Sequence, residues 1–204
     1  MNRLLFYILI FFICFMFLNC ETEKNPTKSI DEKTECFFFP LQVGNQWIYE
    51  IKIHNISTQI DTETIVEKAN YFGSAYYRFN QNPLIHSDLW ITEKDSAVYF
   101  INTKDSSEHI LFDFTAKPGD SWAMPERFDC EVGDSIILLS DTTTLITECS
   151  TFYNCYHFKH KSFCMDGGMV ESWFVKDVGF VKNIYETYFG YAEMTLKEVN
   201  IFDD

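Results

Sequence analysis

The sequence carries none of the short motifs of well-known catalytic machinery. It has no Gly-x-Ser-x-Gly elbow, no His-Glu-x-x-His pair and no glycine-rich phosphate loop, so hydrolase, zinc-protease and nucleotide chemistry lack their usual carriers. The 5 histidines are scattered at His54, His86, His109, His157 and His160. Ser, His and Asp are all present, but a triad is defined by geometry, so presence alone carries no weight. The expectation is a protein that is not an enzyme and that calls for no cofactor. Positive charge is scarce too: 16 Lys and Arg stand against 30 Asp and Glu, for a formal net charge of -14. Such a surface repels phosphate backbones and anionic headgroups, which excludes nucleic acid as a partner and leaves solubility as the plain use of the charge. Missing as well is any helical periodicity sustained over ten or more residues, and any apolar run of the roughly twenty residues needed to cross about 30 Å of hydrocarbon.

What is present begins with a shorter apolar run. Leu4 to Leu18 follows the single basic residue Arg3 and stops at Asn19-Cys20, the layout of an export signal. Phe17-Leu18-Asn19-Cys20 resembles the lipobox of bacterial lipoproteins, with Asn19 in place of a small residue and Phe17 where Leu is commoner. The resemblance implies a signal peptide over 1–19 and lipid attachment at Cys20, which becomes the first residue of the mature chain. Several acyl chains at about 0.8 kcal/mol per buried CH2 make an anchor that does not come off. An uncleaved N-terminal anchor is the alternative, and it too tethers the protein. The expected address is the cell envelope, with a lipid anchor in a bacterial membrane, the outer one in the first instance, and a domain facing the periplasm or the cell surface. Glu21 to Glu35 holds one apolar residue, Ile30, together with Pro26 and charges of both signs, so it buries too little surface to offset its ordering entropy. Cys20 and this flexible charged linker make up 20–35. At Cys36 the composition changes abruptly to Phe37-Phe38-Phe39-Pro40-Leu41, which opens a single domain over 36–204.

Aromatic residues make up 18% of the chain, with 21 Phe and 11 Tyr, more than a helical bundle carries and suited to half-buried strands. Period-two alternation agrees. Trp47, Tyr49, Ile51 and Ile53 fall on one face, and Glu50, Lys52 and His54 on the other. Further strands are expected at Thr58 to Lys68, Ser74 to Asn80, Ile85 to Glu93, Ala97 to Asn102 and His109 to Phe114. Beyond Pro118-Gly119-Asp120 they continue at Phe128 to Val132, Ser135 to Cys149, Thr151 to Phe163, Met169 to Val175, Gly179 to Thr187 and Tyr191 to Phe202. The fold class is therefore all-β: a single antiparallel meander of about ten to twelve strands. A sheet that long curls or closes to protect its edges, which gives a barrel, half-barrel or sandwich.

Four stretches in register from about residue 39 to 182 resemble a group of secreted and lipoprotein domains of Gram-negative bacteria. They are Phe39-Pro40-Leu41 with Gly44-Asn45-Gln46-Trp47-Ile48-Tyr49; Leu111-Phe112-Asp113-Phe114 with Pro118-Gly119-Asp120-Ser121-Trp122; Ser150 to Tyr156; and Trp173-Phe174-Val175 with Val178-Gly179-Phe180-Val181-Lys182. Ser150 and Val175-Lys176-Asp177 depart from the group's turn residues. The resemblance implies architecture and address but no mechanism. The motif residues themselves read as structural: Gly44 and Gly119 for positive backbone torsions, Asp120 for local amides, Trp47 and Trp122 for buried area, and Gly179 for a bulge or a close backbone approach.

Beyond Cys20, the cysteines of the domain are Cys36, Cys130, Cys149, Cys155 and Cys164. In an oxidising compartment pairs persist, and Cys155 with Cys164 or with Cys149 is the expected disulfide, with five small buried thiols as the alternative. Cys155 and His157 share a strand face while His160 takes the other, but Cys-x-His has no established metal spacing, and no metal site is expected. Two functions remain open. One is a membrane-anchored, non-catalytic scaffold or protein-interaction domain with an envelope protein as partner. The other is a carrier for a lipid or another hydrophobic ligand in a curled-sheet cavity. An open cavity lined by aromatics would mark the carrier, and a filled interior the scaffold.

Overall fold

The computed structural model describes residues 38–53, 56–80, 89–102, 106–124, 135–161, 168–187 and 190–202. The signal, Cys20, the linker, Cys36, Cys130, Cys164 and the strand expected over Phe128 to Val132 lie outside the described residues.

Twelve strands follow one another: β1 (Gln46–Ile53), β2 (Ser57–Tyr71), β3 (Ser74–Phe79), β4 (Trp90–Lys94), β5 (Ala97–Asn102), β6 (Ser107–Asp113), β7 (Ser121–Ala123), β8 (Ser135–Ile146), β9 (Thr151–Lys161), β10 (Gly168–Val175), β11 (Gly179–Thr187) and β12 (Gly190–Asn200). All belong to one sheet in the order β6-β5-β4-β3-β2-β1-β12-β11-β10-β9-β8-β7. The expected antiparallel meander is present, with the first and last strands paired at its centre, from Gln46 opposite Asn200 to Ile53 opposite Ala192. One strand was not legible. Ser121–Ala123 pairs with Ser135–Ile137, and three residues are too few to show a period.

The sheet must curl. Strands are about 4.8 Å apart, so twelve laid flat would span about 50 Å. Yet the two edge strands, β6 and β7, are joined only by residues 114–120, which reach about 25 Å when fully extended. The edges do meet: the Trp122 indole N–H donates to the Leu111 carbonyl at 3.3 Å. No ladder pairs β6 with β7, so the sheet curls without closing. Gly44 and Gly119 adopt φ of 100° and 99°, as expected. Asp120 accepts from the Lys117 amide at 2.9 Å.

Around eight strands already make a barrel whose interior side chains fill it, so a curl of twelve leaves room over. Residues 38–41 occupy that room. They belong to no strand, yet Phe39 is only 2% exposed. Its ring lies 5.1 Å from Trp47 on β1, 5.7 Å from Phe79 on β3, 5.9 Å from Phe174 on β10 and 5.8 Å from Phe180 on β11. Phe38 stacks on Phe114 at 4.0 Å and meets Tyr156 edge-on at 5.3 Å. This aromatic strap fills the curl from within and joins its two halves.

Asn45 fixes the strap's exit toward β1. Its side-chain amide donates to the Pro40 carbonyl at 2.8 Å, and its oxygen accepts from the Phe202 amide at 2.9 Å. The side chain is fully buried and so ties the two ends of the domain together. Asn45→Ala should cost about 1–3 kcal/mol, because the Pro40 carbonyl and the Phe202 amide both lose a partner that water replaces only in part. Urea unfolding measures this, and a loss under about 0.5 kcal/mol would show that the tie does not hold the ends.

Candidate functional site

Three places among the described residues concentrate polar groups. The first is the anchor of the strap. Glu93 on β4 accepts the Phe38 amide at 2.6 Å through one carboxylate oxygen and the Phe39 amide at 2.7 Å through the other. Burial raises its pKa, the two amides and Lys176 oppose that, and the Asp177 charge adds to the rise. Across the strap, Lys176 lies 5.9 Å from the centre of the Phe38 ring. The Trp47 indole donates to the Val178 carbonyl at 2.7 Å, which fixes the β10–β11 turn against the same aromatic group. Beside Glu93 a cleft of about 410 Å³ is lined by Leu41, Ser74, Ala75, Tyr77 and Thr92.

Gly179 completes this pocket for the strap. Its φ of +94° is a conformation L side chains rarely adopt, and a Cβ there would come within 2.2–2.3 Å of one edge of the Phe39 ring and 3.5 Å from the Trp47 indole nitrogen. Of the two expectations for this glycine, the close approach holds; the β10–β11 register shift between Trp173 and Phe174 falls at Val181, and Gly179 itself pairs regularly with Val175.

The second place is a set of polar side chains on the interior face. Glu63 on β2 lies opposite Trp47 and is 3% exposed, with Oε1 lacking any hydrogen-bond partner in the protein. Burial, reinforced by the Asp61 charge, raises its pKa well above the usual carboxylate range. Tyr49 donates to the Phe180 carbonyl at 3.1 Å, and its pKa is raised by burial and by Glu63 and Tyr185 nearby. On β11, Asn183 is fully buried between Ser172 and Met194, and neither of its amide atoms has a partner in the protein. Ser172 is bonded to His160 at 3.0 Å.

The third lies on the outer face. Trp173 is sandwiched in register between His157 and Lys182, with the imidazole stacked 4.2 Å away and the ammonium 5.6 Å from the ring centre. A cleft of about 510 Å³ beside them is lined by Lys52, Val170, Glu171, Ile184, Tyr191 and Glu193. Its charged groups already have partners: Lys52 pairs with Glu50 and Glu148, Glu193 pairs with Lys182, and Glu171 is hydrogen-bonded to His157.

The cysteine and histidine positions separate. Cys149 is exposed and Cys155 buried, both as free thiols. The Cys155 thiol donates to the Phe152 carbonyl at 3.5 Å, and burial raises its pKa. His157 turns to Glu171 at 2.8 Å and His160 to Ser172. Among the described residues no three His, Cys, Asp or Glu side chains form a group that could hold a metal.

Sequence reasoning singled out the Phe-rich start of the domain but neither Glu93 nor Asn183. Alternation places Glu93 on an ordinary hairpin and Asn183 on an ordinary strand, and nothing local marks either as buried. For Glu63 a signal exists: two residues before Ile65, it falls on that residue's face of the strand.

No protein-family model matches the chain, and no curated protein matches it. Two crystal structures are similar in fold. One is a protein of Bacteroides fragilis, provisionally described as exported and as having a YmcC-like fold; it is 15% identical, with a TM-score of 0.47, and 81% of this chain and 99% of that one are covered. The other is a protein of Parabacteroides distasonis, provisionally described as a lipoprotein; it is 14% identical, with a TM-score of 0.41 and the same coverage. Likeness of this degree speaks to neither ligand nor activity.

Proposed function

We infer that the protein is a membrane-anchored, non-catalytic cell-envelope lipoprotein whose domain acts by protein contact. The observation that carries this reading is the filled interior. A carrier needs an open apolar cavity, and here the curl is occupied by the chain's own strap and by a continuous contact group of Phe112, Phe114, Phe158, Phe174 and Phe180, with ring centres 3.7–6.3 Å apart. The two clefts described above have none of these rings in their walls and are walled partly by charged side chains, unlike a site for an acyl chain. The address rests on the signal layout and on Cys20 as the site of lipid attachment.

Native mass spectrometry of residues 21–204, exported to an oxidising compartment and purified without detergent, tests the reading. The bare chain mass is the expected result. A reproducible extra mass, lost on denaturation, would establish the carrier instead. Labelling with a radioactive fatty acid, lost in Cys20→Ser, tests the anchor independently.

A further inference from the structure

The strap stands to the rest of the domain as a peptide stands to its groove. It adds no strand to the sheet, and the groups that hold it come from elsewhere in the fold. Rings from β1, β3, β9, β10 and β11 receive Phe38 and Phe39. Glu93 reads two successive backbone N–H groups, which selects an extended peptide over an acyl chain, since a hydrocarbon has no donors to offer. Gly179 has given up its side chain where the Phe39 ring enters.

We propose that this groove is a binding site for an extended aromatic peptide, and that besides its own strap it accepts the strap of a second copy of this chain. A second copy presents the same rings and the same two amides, so every contact broken in one molecule is remade in its partner. Exchange then turns on association entropy and on residues 42–45 between strap and β1, where Gly44 already has a φ of +100°. The strap belongs to no strand, so it can leave the groove without breaking a strand pairing. The expected lipid anchor enters the domain directly through this segment and confines copies to one membrane, which raises their effective concentration. The proposal rests on the reading that the domain works by protein contact. Extra mass in the measurement above would overturn that reading, whereas failure of the test below would overturn the groove alone.

The test uses the full chain in detergent micelles and a synthetic peptide of residues 35–43 carrying Cys36→Ser. In the Phe39→Ala chain the resident strap has lost its principal ring. Saturating peptide should raise the unfolding midpoint of that chain by about 5 °C, and a scrambled peptide should not. Adding Glu93→Ala should weaken peptide binding by about tenfold or more. A midpoint that the peptide does not move overturns the proposal. Should Phe39→Ala fail to fold, wild-type chains of ordinary and heavy nitrogen are mixed and weighed intact. Mixed dimers that the peptide dissociates support strap exchange, and monomers alone, or dimers the peptide leaves intact, overturn it.

Discussion

Gly179→Ala should remove about 2–6 kcal/mol of stability, a large share of an ordinary domain's margin of roughly 5–15 kcal/mol. Two independent terms add. The backbone at φ +94° is strained for any residue with a Cβ, at about 1–3 kcal/mol, and the new methyl would enter the space of the Phe39 ring, where overpacking costs a further 1–3 kcal/mol or so. The ring cannot step aside, because Trp47, Phe79, Phe174 and Phe180 surround it. A double-mutant cycle separates the terms. In a Phe39→Ala background the overpacking vanishes while the backbone strain stays, so Gly179→Ala should be milder there by about 1–3 kcal/mol. Urea midpoints of the four chains measure this. Strictly additive losses would mean that Gly179 and Phe39 do not press on each other.

Glu63→Met should act in the opposite direction and raise stability at pH 7 by about 1–3 kcal/mol. The carboxyl is buried opposite Trp47, Oε1 has no partner, and burial with the Asp61 charge nearby raises its pKa well above the unfolded value. The folded state therefore keeps its proton over a range of pH in which the unfolded state has already given it up. A carboxyl with a raised folded pKa is least unfavourable below its unfolded pKa, near 4.3, and it destabilises increasingly as pH rises toward its folded pKa. The gain from Glu63→Met should accordingly be smallest near pH 4, at and below the unfolded pKa of about 4.3, and grow as pH rises toward the folded pKa. Unfolding midpoints of both chains from pH 4 to 8 provide the check. A gain that is the same at every pH would show that the carboxyl's protonation is not the source.

The strap and its latch show where local reading ends. Phe38-Phe39-Pro40-Leu41 is conspicuous as composition. That it runs through the interior rather than along an edge depends on how far twelve strands curl, which is a property of the whole sheet. Glu93 is the clearest case. In sequence it is the last residue of the strand expected at Ile85 to Glu93, beside Lys94-Asp95-Ser96, with nothing to distinguish it from Glu67 or Glu193. It becomes an anchor because residues 54 and 55 positions earlier bring their amides to it.

From sequence alone came the class and the framework: an all-β chain, eleven of the twelve strands with most of their limits, the turn glycines, the inward face of β1 and the signal layout ending at Cys20. Those properties follow from period-two alternation and local turn chemistry, which act over a few residues. The tertiary structure decided the pairing of β1 with β12, the meeting of β6 and β7, and the strap as interior filling. It also decided the burial of Glu63 and Asn183 and the separation of Cys155, His157 and His160 among different partners. Each of these turns on contacts between residues far apart in the chain, and their energies depend on curl and register, which no short window of sequence contains.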